Sequence, residues 1–198
     1  LYDHDEGAYQ RLFGQSVIVL LTMTLPATGL LGFWSHEWMG LIPQNDPVSG
    51  TVLGLLCVSL NVSILNTLLI IVFTSRNRQK WLILFSGGAV GLSFIANWIL
   101  IPRYAQAGAA WATLLSQCVL FAAMAYTARR IFHLRFPLAK PLGILGVCLF
   151  SGGVLWMIPG IPLWAIPFLY ALLLFGSARV SGVLTREEIQ AIVRKVRG

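Results

Sequence analysis

Apolar and polar positions alternate along this chain in blocks rather than with a helical or strand period. Six apolar runs, at 12–34, 50–74, 81–101, 108–128, 141–158 and 163–181, are separated by short polar connections. A helix rises about 1.5 Å per residue, so about 20 apolar residues cross a hydrocarbon core of about 30 Å. The first four runs have sharp edges, and no charge occurs between Asp46 and Arg76. The last two are less sharply bounded. An open sheet would leave backbone groups unpaired in lipid, so each run is predicted to be a helix. The expected fold class is an all-α membrane protein. A six-transmembrane-helix bundle at 12–182 follows a cytoplasmic lead-in loop at 1–11. The tail at 183–198 differs: Thr185 and Glu188 have capping-box spacing, and Ile189, Ile192, Val193 and Val196 lie opposite Arg194, Lys195 and Arg197. It is predicted to be a short amphipathic helix, either on the cytoplasmic membrane surface or against a neighbouring loop.

Composition sharpens this picture. The chain is 57% hydrophobic and only 11% charged, against roughly 25% charged residues in a soluble domain, so lipid is the expected surroundings. A net charge of +7 raises nucleic acid as a partner. The basic residues are split into clusters between apolar runs, so no nucleic-acid partner is expected. Those clusters decide orientation instead. Of the 14 Lys and Arg, all but Arg103 fall in the N-terminal stretch, the second-to-third loop, the fourth-to-fifth loop or the tail. That alternation puts both ends of the chain in the cytoplasm. Trp34, Trp38, Trp81, Trp98, Tyr104 and Trp164 near run ends fit interfacial belts. Gly50 with Gly54, and Gly87 with Gly91, have spacing that lets helices approach closely. Cys57, Cys118 and Cys148 each lie inside an apolar run with no CxxC, the pattern of small buried hydrophobes. The acidic opening after Leu1 lacks a basic signal-peptide region, and is read as the entry into a piece of a longer protein.

Candidate chemistry is sparse. No Asp, Glu, Lys, Arg or His lies in the interior of any run, and His4, His36 and His133 are scattered through connections. Charge at mid-membrane is costly and usually kept for function, so no catalytic residue, metal or cofactor is expected. Mild polarity does recur on stripes: Gln15, Thr22, Pro26 and Gly29; Ser59, Ser63 and Asn66; Ser86, Ser93 and Asn97; Thr113, Ser116 and Gln117. Two roles are open for them, interhelical hydrogen bonding or the wall of a water-filled passage. Pro26 bends its run, as a static kink or as a hinge.

The stretch 97–117 resembles the hairpin signature of polysaccharide flippases, in the multidrug/oligosaccharidyl-lipid/polysaccharide exporter superfamily. The matching residues are Asn97, Leu100, Ile101, Pro102, Tyr104, Gly108, Ala109, Ala110, Ala112, Thr113 and Ser116. Ala105 departs from it, where a glycine is usual, and implies a less tight turn. The first run, with its LPATGLLGFW, is similar to the proline-containing span that opens the second half of such proteins. The likeness covers about residues 10 to 135 and is a packing signature rather than a substrate-binding one.

The resemblance implies the C-terminal lobe, six spans, of a two-lobe transporter in a bacterial cytoplasmic (inner) membrane. Its partners would be the N-terminal lobe of the same protein and a polyprenyl-pyrophosphate-linked oligosaccharide, flipped for polysaccharide or O-antigen export. Arg11, at the cytoplasmic mouth of the proline span, has two roles open, positive-inside anchoring or contact with the pyrophosphate. Two other functions compete. A drug antiporter lobe commonly needs intramembrane carboxylates, absent here, and a membrane-embedded glycosyl- or acyltransferase needs His, Asp or Glu at the membrane face. The charge alternation predicts that reporter fusions within 76–80 and 129–140 register in the cytoplasm and fusions within 43–47 outside it. The reverse pattern would overturn the topology.

Overall fold

A computed structural model of the protein describes residues 3–42, 46, 48–132, 139–157 and 165–180. The predicted tail helix at 183–198, His133 and Trp164 lie outside them. The described residues form six helices and no strand: α1 (Asp3–Phe33), α2 (Ser35–Gly40), α3 (Val48–Ser75), α4 (Gln79–Phe132), α5 (Ala139–Trp156) and α6 (Ile166–Val180). Three stretches, Tyr9–Phe33, Val48–Ser75 and Gln79–Phe132, are long and apolar enough to cross a membrane. The chain divides into two compact units, Leu1–Pro137 and Leu138–Gly198.

The lead-in is not a loop where it is described. Helix α1 begins at Asp3, ahead of the apolar run, and continues through Pro26 to Phe33.

Helix α4 is two arms rather than one rod. Ala105 carries φ 47° and ψ −122°, a non-helical conformation between the arms 79–104 and 106–132. Rings settle how far the chain turns there. Phe85 and Phe132 would lie roughly 70 Å apart along a straight helix. Yet their centroids sit 6.4 Å and 5.3 Å from that of Phe73, both in edge-on geometry. The arms therefore run antiparallel, and the predicted third and fourth spans are the two sides of a hairpin. At its tip a β-carbon on Gly108 would overlap the Leu100 carbonyl oxygen and come within 2.6 Å of the Leu100 carbonyl carbon. Glycine is required there by backbone approach. The turn is tight despite Ala105, contrary to the relaxed turn that residue implied. The alanine simply takes a conformation that glycine adopts at little cost.

In the first unit one apolar cluster joins all the long segments. Phe13, Val17 and Leu21 of α1, Leu68, Leu69, Val72 and Phe73 of α3, and Met124 and Ala128 of α4 are its buried members. Leu82 and Phe85 of the first arm pack on it. This core gathers the start of α1, the end of α3 and both ends of α4, so Arg11, Arg76, Arg78, Lys80, Arg129 and Arg130 share one end of the unit. Arg103, Glu37 and Asp46 belong to the opposite end.

There, α2 packs on the first turns of α3. A β-carbon on Gly50 would overlap the His36 imidazole, and one on Gly54 would touch Ser35 Oγ at 3.6 Å. In the second unit α5 and α6 pack together around buried Ile144, Cys148, Leu155, Ile166 and Tyr170. Among the described residues α5 has 18 residues and α6 has 15.

The hairpin tip yields a paired expectation. Ala105→Gly should stabilise the protein, relieving an unfavourable backbone state that costs about 1–3 kcal/mol. Gly108→Ala should destabilise it by a similar amount, because the added methyl meets backbone that cannot swing away. Unfolding of both variants in detergent micelles checks the signs. Equal stability of the two would remove the tight hairpin.

Candidate functional site

The long helices are apolar on nearly every side, so their few polar groups stand out by what they bond. Two pairs cross between helices. Asn61 Nδ2 of α3 donates to Thr28 Oγ1 of α1 at 2.8 Å and to its own Cys57 carbonyl at 2.9 Å. Asn66 Nδ2, five residues further along α3 and on a different face, donates to Gln117 Oε1 at 2.7 Å and to the Gln117 carbonyl at 3.1 Å. Helix α3 is thus clasped on one side to α1 and on the other to the second arm of α4.

Each clasp leaves an acceptor over. The Oδ1 atoms of Asn61 and Asn66 are buried without a hydrogen-bond partner, and Asn66 is only 3% exposed. A buried amide oxygen without a donor is costly in apolar surroundings. Each of these oxygens is enclosed by the packed helices, so a hydroxyl or a water reaches it only where the helices part.

The other predicted residues are distributed differently. On α1 the buried stripe is Phe13, Val17, Leu21 and Thr28, offset from the predicted polar stripe. Gln15 and Arg11 are consequently exposed, and Thr22 is half-buried, donating to its own Ile18 carbonyl at 2.6 Å. Pro26 is half-buried within an unbroken helix. Ser59 is buried, 3.3 Å from the Leu56 carbonyl, and Ser63 is half-buried. Asn97 and Ser93 face each other on the first arm at 3.4 Å. Ser116 is buried and donates to Ala112, and Thr113 donates to Ala109. Among the hairpin residues Gly108 and Ala110 are buried, Ala109 is half-buried, and Pro102 and Tyr104 are exposed at the tip.

The structure brings Asn66 and Gln117 together and does not join the remaining predicted residues to them. It adds Thr28 and Asn61, which sequence reasoning passed over. A signal was available: Thr28 lies seven residues beyond Leu21 on the large-residue register 13, 17 and 21. Asn61 and Asn66 are also the two amide side chains in the run 50–74, which carries no charge.

No family model, no curated protein and no solved structure matches this chain.

The Asn66–Gln117 clasp predicts a coupling. Interhelical hydrogen bonds in membranes average about 0.6 kcal/mol and reach about 1.7. The single and double leucine variants should show a coupling energy in that range when unfolded in detergent. Strict additivity of the two losses would mean that the bond contributes nothing to stability.

Proposed function

We propose that this chain is one lobe of a bacterial inner-membrane transporter that moves a lipid-linked oligosaccharide from the cytoplasmic to the outer leaflet. In this proposal the lobe has six spans, with the basic connections cytoplasmic, and a second lobe of the same protein faces it across a cavity. The observation that carries it is the pair of clasped asparagines, Asn61 and Asn66, each with a spare buried acceptor inside an uncharged span. Neutral acceptors suit sugar hydroxyls. A cationic drug would call for a carboxylate, and the interiors of the long spans contain none.

The chemistry divides the cargo between two media. The prenyl tail stays in lipid, and the oligosaccharide crosses along mildly polar helix faces. The pyrophosphate meets a cation at the basic end, and Arg11, exposed on α1 just before the core, fills that part. Rocking of the two lobes about the site alternates access. Pro26, which removes one backbone donor from α1, is the proposed place where α1 flexes. The resemblance of 97–117 to the flippase hairpin supports the same assignment, and so does the tight tip at Ala105 and Gly108.

The test is transport by the full-length protein in vesicles loaded with a fluorescent prenyl-pyrophosphate oligosaccharide. Flipping should be lost in Asn61→Leu and Asn66→Leu, with the protein still inserted, and a cationic dye should not be carried. Dye export coupled to a cation gradient, or undiminished flipping by both variants, would rule the proposal out.

A further inference from the structure

The basic end of the first unit has a built turn that transport does not require. Asn77 takes a left-handed conformation, φ 55°. Arg78 N donates to the Phe73 carbonyl at 2.9 Å and Asn77 N to the Thr74 carbonyl at 3.1 Å. Those two bonds are a Schellman cap, with Asn77 at the position usually held by glycine. Arg76 N donates back to Val72 at 3.2 Å, and α4 begins directly at Gln79. Arg76, Arg78 and Lys80 are therefore displayed from a hydrogen-bonded corner rather than from a floppy loop.

The surroundings brace that corner. The Arg76 guanidinium lies 4.9 Å from the Tyr9 ring centroid and 5.6 Å from that of Phe132. Tyr9 Oη is 2.7 Å from Ser75 Oγ. Trp81, stacked on Phe85 at 5.6 Å, stands next to Lys80 and is partly exposed. On the neighbouring α4 end, Arg130 Nη1 donates to Tyr126 Oη at 3.2 Å. Arg78, Lys80 and Arg130 are exposed.

We propose that this corner is a docking face for anionic phospholipid, with the lipid phosphate held by Arg78 and Lys80 and the glycerol region resting beside Trp81. Charge complementarity selects the occupant, since clustered Lys and Arg at the end of a membrane helix attract anionic headgroups. Interfacial tryptophan belongs at that same depth. Arg76, stacked on Tyr9 and Phe132, positions the corner. The face requires that the chain span a bilayer, and does not depend on what cargo it moves.

The experiment titrates the purified full-length protein in detergent with phosphatidylglycerol, phosphatidylcholine, inorganic phosphate or a prenyl pyrophosphate. Melting temperature and lipid retained in native mass spectra are read. Phosphatidylglycerol should raise the melting temperature and be retained, and phosphatidylcholine and inorganic phosphate should do neither. Because the cap uses main-chain bonds only, Arg78→Gln with Lys80→Gln should fold normally. Retention should weaken about fivefold for each charge removed, the usual effect of a basic residue near an anionic surface. Arg103→Gln, at the opposite end, should bind as the parent does. Unchanged retention in the double variant would overturn the assignment, as would equal binding of phosphatidylcholine. Displacement of phosphatidylglycerol by the prenyl pyrophosphate would also overturn it, making the corner a cargo site.

Discussion

The first unit is organised by Phe73. Its ring is fully buried and meets Phe85 and Phe132 edge-on, one from each arm of α4. Leu69, Val72, Met124 and Ala128 close around it, all at 2% exposure or less. In lipid, helices gain little from burying apolar surface as such, since hydrocarbon tails are as apolar as leucine. Shape complementarity and dispersion must hold them, and those reward close packing without gaps. A cluster of interlocked aromatic rings at one end of three segments answers that demand. The rest of the unit follows from it, because it fixes both arms of α4 and brings the basic connections to one end.

The opposite end is held by a different means. Polar clasps occupy the seams of α3 part-way along, and small residues allow close approach beyond them. Gly32 would place a β-carbon 3.7 Å from Cys57, and Gly108 has no room for one at all. Rings at one end and small residues at the other divide the task. The asparagine clasps lie between the two regimes, where a polar group has a partner helix within reach.

Much of the helical layout was legible in the sequence. The edges of α3 fall within two residues of the apolar run 50–74, and Pro102 to Tyr104 foretold the hairpin tip. Which face of each helix is buried was not legible, and the reason is physical. A helix in water shows its core by contrast with its polar side, whereas a helix in lipid is apolar all round. Phe13, Val17 and Leu21 are buried while Leu12, Val19 and Leu20 are exposed, and nothing in residue type separates the two sets. The polar stripe on α1 therefore runs beside its buried register rather than on it, and Thr28 belongs to the buried one. Asn66 and Gln117 could be singled out as polar residues in apolar runs. That they bond each other depends on the parallel course of α3 and the second arm, which only the folded hairpin creates.

Helix α2 exists on borrowed stability. Six residues are too few to nucleate a helix in isolation, so its order comes from the glycines of α3 beneath it, with His36 lying directly over Gly50. The two elements must then melt and re-form as a single cooperative unit. Fraying of the first turns of α3 would take α2 with it, leaving the rings around Phe73 untouched at the far end.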